Sequence, residues 1–113
     1  MTVYITQDAP SRSFSPARKH GELELLFPAK AQVLLSAMPT YRKLQRAMKT
    51  FSDDDFVLLS GDPIIMALAI NVALEANDGR AKILKWDRYL FDYGLIEMNL
   101  YEKEDLFPRV EKK

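Results

Sequence analysis

The chain contains no cysteine, which excludes disulfides, thiolate nucleophiles and Cys-based zinc centres. Histidine occurs once, at His20, so any imidazole chemistry has to pass through a residue that directly follows Arg18 and Lys19. Net charge is also missing: 16 Lys and Arg offset 16 Asp and Glu. A neutral total is a weak footprint for a protein whose main task is to bind nucleic acid. The longest mostly apolar run, Pro63 to Ala76, falls short of the roughly 20 residues needed to span a bilayer. The N-terminus shows no basic-then-apolar signal layout, and a cytoplasmic setting is expected. A serine nucleophile elbow of the G-x-S-x-G type is absent, as are the glycine-rich run and lysine of a P-loop.

What the chain does have is the composition of an ordinary folded domain. With 113 residues, 48% hydrophobic and 28% charged, it fits one domain able to bury a core of useful size. Residues 1–101 are expected to form it, with 102–113 a charged, frayed tail. Charge is distributed unevenly. Residues 1–50 carry eight Lys and Arg against three Asp and Glu, and residues 51–113 carry eight against thirteen, giving +5 and −5.

Thr2 to Thr6 is β-branched and aromatic, the composition of a strand. Gln7 to His20 holds two prolines and three serines and is expected to be a long surface loop. In Glu22 to Phe27 the alternation places Leu23, Leu25 and Phe27 on one face and both glutamates on the other. After a turn at Pro28-Ala29-Lys30, Gln32 to Leu35 is expected to return as an antiparallel strand. Tyr41, Leu44, Met48 and Phe51 follow helical spacing, and Pro39 suits a first helical turn. Phe56 to Leu59 is continuously apolar, as in strands covered on both faces. Pro63 to Ala76 is a helix with only Asn71 and Glu75 polar, so most of its surface needs cover, and a homodimer through this helix is one way to supply it. Arg80 to Trp86 then lies parallel to Phe56–Leu59 through a right-handed crossover. Asp87 to Phe91 is a hairpin loop, and Tyr93 to Leu100 a return strand. The expected class is α/β with an α+β-type mixed sheet, in the order β-β-β-α-β-α-β-β, two helices packed on it.

Three groups of residues carry candidate function. At Ser60-Gly61-Asp62-Pro63 a strand runs directly into a helix, the usual setting of a phosphate or nucleotide site. Asp62 as N-cap and Pro63 at the first position explain the corner equally well, and a carboxylate already there repels an anion. The second group is basic: Arg12, Arg18, Lys19, Arg42, Arg46 and Lys49 form a single constellation if the long loop folds back over the first helix. The third, Trp86, Arg88, Tyr89, Phe91 and Tyr93, lies around the hairpin and has the composition of binding hot spots, which cross-strand packing would equally use.

No metal or cofactor set is expected. The element order is similar to the ribonuclease H-like fold, in which Asp62 would stand where a metal-binding carboxylate ends a strand. Two-metal chemistry needs several converging carboxylates, whereas Val3 to Thr6 and Tyr41 to Phe51 supply none. Asp53-Asp54-Asp55 lacks the alternating spacing of a calcium loop and reads as a solvated connector.

The segments "DFVLLSGDP" and "NDGRAKILKWDR", a tyrosine followed by "IEMNL", and the earlier "ARKHGELELLFP" resemble a family of small tailed-bacteriophage proteins to which no activity is assigned. The resemblance spans about two thirds of the chain. It implies a small protein made in a bacterial host cytoplasm and transfers no catalytic residue. The expectation is a non-enzymatic module that binds a host or phage macromolecule, with partner contacts from the basic and aromatic groups. The alternatives are a phosphate or nucleotide ligand at the Gly61-Asp62 corner and nucleic acid on the basic N-terminal half.

Overall fold

A computed structural model describes residues 1–101 of the chain, so the expected frayed tail, 102–113, lies outside the described residues. Five strands form one sheet: β1 (Thr2–Ile5), β2 (Glu22–Leu25), β3 (Phe56–Leu58), β4 (Arg80–Asp87) and β5 (Asp92–Asn99). They lie in the order β2-β1-β3-β4-β5, the first four mutually parallel and β5 antiparallel to β4. Two α-helices, α1 (Met38–Ala47) and α2 (Pro63–Ala76), pack on this mixed sheet, and a 3-10 turn spans Ser15–His20. The α/β class and the parallel β3–β4 pair agree with the sequence reading.

Handedness explains the layering. Passing from β1 to β2 moves across the sheet one way, whereas β2 to β3 and β3 to β4 move the other way. Right-handed crossovers then put α1 and α2 on one face and the β1–β2 connection on the opposite face. The buried clusters follow this division. Tyr4, Val57 and Ile83 meet Leu44 and Met48 of α1's face and Ile65, Ala69 and Val72 of α2. Val3, Ile5, Phe56, Leu58 and Leu84 meet Ala17 of the 3-10 turn, with Phe14 and Trp86 alongside. The segment Gln7–His20 is therefore more than the surface loop expected of it: it covers the second face, and Ala17 is fully buried. β3 is buried throughout because it has both covers, as its unbroken apolar run requires.

The helix faces follow from spacing. In α1, Leu44 is buried, and Met48 and Phe51 continue into the core just beyond the helix end. In α2, Ile65, Ala69, Val72 and Ala73 are buried, and the outward row is Ile64, Ala67, Asn71 and Glu75. Glu75 accepts a hydrogen bond from the Tyr41 hydroxyl and so joins the two helices. No helix among the described residues is long and apolar enough to cross a membrane.

One expected element is corrected. Gln32 to Leu35 forms no strand, so the expected third early strand is absent while the remaining elements keep their order. The Gln7 side chain gathers the carbonyls of Pro28, Ala29 and Ala31, which turns the chain over the end of β1. The Val33 N–H then points at Asp62 Oδ2 (3.4 Å), leaving Leu34 and Leu35 in solvent. An antiparallel return along β2 is thereby foreclosed.

Candidate functional site

In open parallel sheets, ligand crevices form where the strand order reverses, outside the carboxyl ends of the strands. Here that place lies between β1 and β3, and the residues following those strands are Thr6-Gln7 and Leu59-Ser60-Gly61-Asp62. The crevice is filled by the protein itself. Thr6 Oγ1 donates to the Ser60 carbonyl (2.5 Å) and accepts from the Ser60 N–H (2.8 Å). Gln7 Oε1 accepts from the Asp62 N–H (2.6 Å) while its amide nitrogen serves the Pro28–Ala31 carbonyls, and the residue is 3% exposed. Asp62 caps α2, its Oδ1 accepting from the Ile64 N–H (2.7 Å). Gly61 has φ of +93°, and a Cβ there would lie 2.1 Å from Gln7 Oε1, so glycine is required on two counts. Ser60 Oγ is buried without a partner among the described residues. The corner formed by Ser60, Gly61 and Asp62 thus has its anion-binding geometry satisfied by an internal carboxylate.

The basic constellation divides between the two faces of the sheet. Arg42, Arg46 and Lys49 belong to α1 and the turn after it, on the helical face. Arg12, Arg18 and Lys19 belong to the connection that covers the opposite face. The loop does not fold over α1, so the six cations do not form one patch. Instead, the loop meets the aromatic group of the hairpin. The Arg12 guanidinium lies 5.8 Å from the Trp86 ring centroid, and Trp86 meets Tyr93 edge-on at 5.0 Å. Lys19 pairs with Asp92 at the start of β5, and Arg88 lies 5.5 Å from the Tyr89 ring. The Lys19 ammonium, with the Tyr93 N–H, holds the Asp92 carboxyl below its ordinary pKa.

The turn between β4 and β5 presents the most exposed apolar group among the described residues of the hairpin. Tyr89, Leu90 and Phe91 are 81%, 73% and 75% exposed. They are nevertheless ordered by chemistry: Asp87 Oδ1 accepts from the N–H groups of Tyr89 (2.9 Å) and Leu90 (3.3 Å), and Phe91 takes φ of +51°. A left-handed residue with a bulky side chain is uncommon and marks a fixed tip. Behind the tip a shallow pocket of about 440 Å³ is lined by Trp86, Arg88, Tyr89, Gly94, Leu95 and Ile96. Sequence reasoning found Trp86, Arg88, Tyr89 and Phe91 but missed Leu90, Leu95 and Ile96. The available signal was the placement of Leu90 between Tyr89 and Phe91 in a loop that has no core to enter.

A second cleft, about 330 Å³, opens at the other end of β4 beside Asp53, Asn77, Arg80, Lys82 and Glu97. Two of its charges, Asp53 and Arg80, are paired. Asp53 accepts from Asn77 (2.8 Å) and from Arg80 (3.2 Å), and these hydrogen bonds lower its pKa. Asp55 is not part of a solvated connector: it is buried and accepts from the N–H groups of Thr2 and Ser52 (3.0 Å each), tying β1 to the start of β3. His20 packs on Phe56 with ring centroids 5.0 Å apart, and its Nε2 is buried without a hydrogen-bond partner among the described residues. Among the described residues no group of three or more His, Cys, Asp or Glu is arranged to hold a metal ion.

The sequence profile of the Phage Pam3 gp32-like protein family matches residues 1–100, and the chain belongs to that family. Neither the curated proteins nor the solved structures contain a match to it.

Proposed function

We propose that this phage protein is a non-enzymatic interaction module that binds a host or phage protein in the bacterial cytoplasm through the β4–β5 hairpin. The observation that carries the reading is the ordered tip, on which Tyr89, Leu90 and Phe91 stand in solvent although the fold has fixed their backbone. Exposed apolar side chains held in one conformation lose little entropy on docking, and tyrosine and arginine are common binding anchors. Arg12 and Arg88 flank the aromatic surface, which favours a partner segment that combines apolar and acidic side chains. Arg42, Arg46 and Lys49 face elsewhere and are assigned no part in this contact.

The test is affinity purification from bacterial lysate of the intact protein and of a variant with Tyr89, Leu90 and Phe91 changed to serine, with and without nuclease. A single protein retained by the intact chain, lost with the variant and indifferent to nuclease is the expected result. Equal retention by both chains refutes the assignment to the hairpin. Retention that disappears with nuclease favours nucleic acid instead.

A further inference from the structure

The two edges of the sheet are built differently. At one, β2 has only four residues, two of them glutamates, and the chain reaches Pro28 soon after it. Shortness and charge are ordinary protections against edge-to-edge pairing. At the other, β5 has eight residues, pairs with β4 in unbroken register, and contains no lysine, arginine or proline. Leu95 and Ile96 in its middle are exposed on opposite faces, whereas the start of the strand is held against the 3-10 turn through Lys19–Asp92 and the buried Tyr93.

The direction of its main-chain groups follows from one hydrogen bond. Leu100 N–H donates to the Gly79 carbonyl, which continues the β4–β5 register one step past Arg80↔Asn99. Hydrogen-bonded and non-hydrogen-bonded pairs alternate along an antiparallel ladder. Met98, Ile96, Gly94 and Asp92 therefore direct their groups to β4, whereas Asn99, Glu97, Leu95 and Tyr93 direct theirs outward. The Tyr93 N–H is met by Asp92 Oδ1, as an outward-facing donor should be, and Leu95, Glu97 and Asn99 are left to form the edge.

We propose that this edge pairs with the β5 edge of a second copy of the chain, antiparallel about a two-fold axis at Leu95, to make one continuous sheet. The proposal rests on the reading of the hairpin as an interaction surface and names the occupant of its edge. Three features select a second copy. A two-fold perpendicular to the sheet keeps each residue on its own face, so centring at Leu95 sets Leu95 against Leu95 and Glu97 against Tyr93, while centring at Glu97 would oppose two carboxylates. Antiparallel alignment also brings the exposed tip, Tyr89 to Phe91, of each copy toward the exposed Leu100 and Tyr101 of the other. Finally, a chain of zero formal charge has no net repulsion against itself. The sheet edge is thus preferred over the outward row of α2 as the site of self-association, since Asn71 and Glu75 interrupt that row.

The absence of native cysteine makes the test direct. Cross-strand Cα atoms in a hydrogen-bonded pair lie about 5.5 Å apart, within the span a disulfide bridges. Leu95→Cys is expected to give a covalent dimer under mild oxidation, whereas Gln45→Cys, exposed on α1 away from β5, gives none. Sedimentation of the unaltered chain at micromolar to millimolar concentration should report twice the 13.0 kDa chain mass. Leu95→Lys should halve that mass and leave the far-ultraviolet circular dichroism spectrum unchanged. A monomer at all concentrations overturns the proposal, as does a dimer that is indifferent to Leu95→Lys and not cross-linked through Leu95→Cys. Hairpin-dependent capture of another protein by a monomer would retain the proposed function and refute only the self-association.

Discussion

Gln7 offers the sharpest test of whether the strand-to-helix corner is architecture. Its side chain occupies the place where a ligand would enter, with Oε1 on the Asp62 N–H and Nε2 among the carbonyls of Pro28, Ala29 and Ala31. Gln7→Leu keeps the approximate volume and removes every one of these bonds. The Asp62 N–H and the Ala31 carbonyl make the two shortest contacts and lose the partner completely; Pro28 and Ala29 can turn toward water. A stranded buried polar group costs about 1–3 kcal/mol, so two of them cost about 4 kcal/mol. Against a total stability of about 5–15 kcal/mol this is a large fraction, and it corresponds to a fall of roughly 15 °C in melting temperature. Urea denaturation at neutral pH measures it as a lower midpoint with an unchanged slope. Gln7→Glu adds a signature in pH. It retains the acceptor for Asp62 but sets a carboxylate against carbonyl oxygens, which raises its folded pKa. Its stability should be greatest below the unfolded value near about 4.3 and should be lost as pH rises through the folded value. A loss below about 1 kcal/mol in Gln7→Leu would refute the argument, because the side chain would then be replaceable by solvent.

Other predictions follow from single contacts. Thr6→Val removes a hydroxyl that both donates to and accepts from Ser60, and should cost about 1–3 kcal/mol in urea denaturation, whereas Ser60→Ala, which deletes an unpartnered hydroxyl, should change stability by less than about 0.5 kcal/mol. Asp92 and Asp53 have lowered pKa values in the fold, so their stabilisation is present above the unfolded value near about 3.9 and disappears as pH falls through the folded values. Melting curves of Asp92→Asn below pH 4 should accordingly lie closer to those of the unaltered protein than they do at pH 7. With phosphate or nucleoside triphosphate at millimolar concentration, thermal unfolding should show no shift, because Asp62 holds the helix terminus; a clear rise would reinstate the ligand reading of Ser60 and Gly61.

Much of the fold was legible in side-chain period. The interrupted helical spacing from Tyr41 to Phe51, the apolar run of α2 and the β3–β4 crossover all announced themselves because local pattern and tertiary position agree there. The site was less legible. Cations at 12, 18 and 19 and cations at 42, 46 and 49 look alike in sequence, and only the direction of each crossover sends them to opposite faces of the sheet. Gln32 to Leu35 misled for a related reason. Its composition suits a strand, but the glutamine that turns it away lies 25 residues earlier than Gln32, at Gln7.

The covering role of the segment Gln7–His20 was hidden by its polarity, although the sequence contained the premise for it. A strand that is apolar at every position has to be covered on both faces. The described residues form two α-helices, and both belong to crossovers that run in the same direction across the sheet, so both must lie on one face. Something else has to cover Val3, Ile5, Phe56 and Leu58, and the stretch between β1 and β2 is long enough and crosses the sheet in the opposite direction with the same hand. It does so with few apolar atoms: Ala17 and Phe14 enter the layer, and Trp86 and Tyr93 complete it from the hairpin. This economy has a functional consequence. A full helix on that face would have buried Trp86 and the base of the hairpin, whereas a short 3-10 turn, ending at Lys19 and His20, leaves the hairpin projecting. Arg12 and Lys19 steady it through Trp86 and Asp92, and its aromatic tip stays exposed.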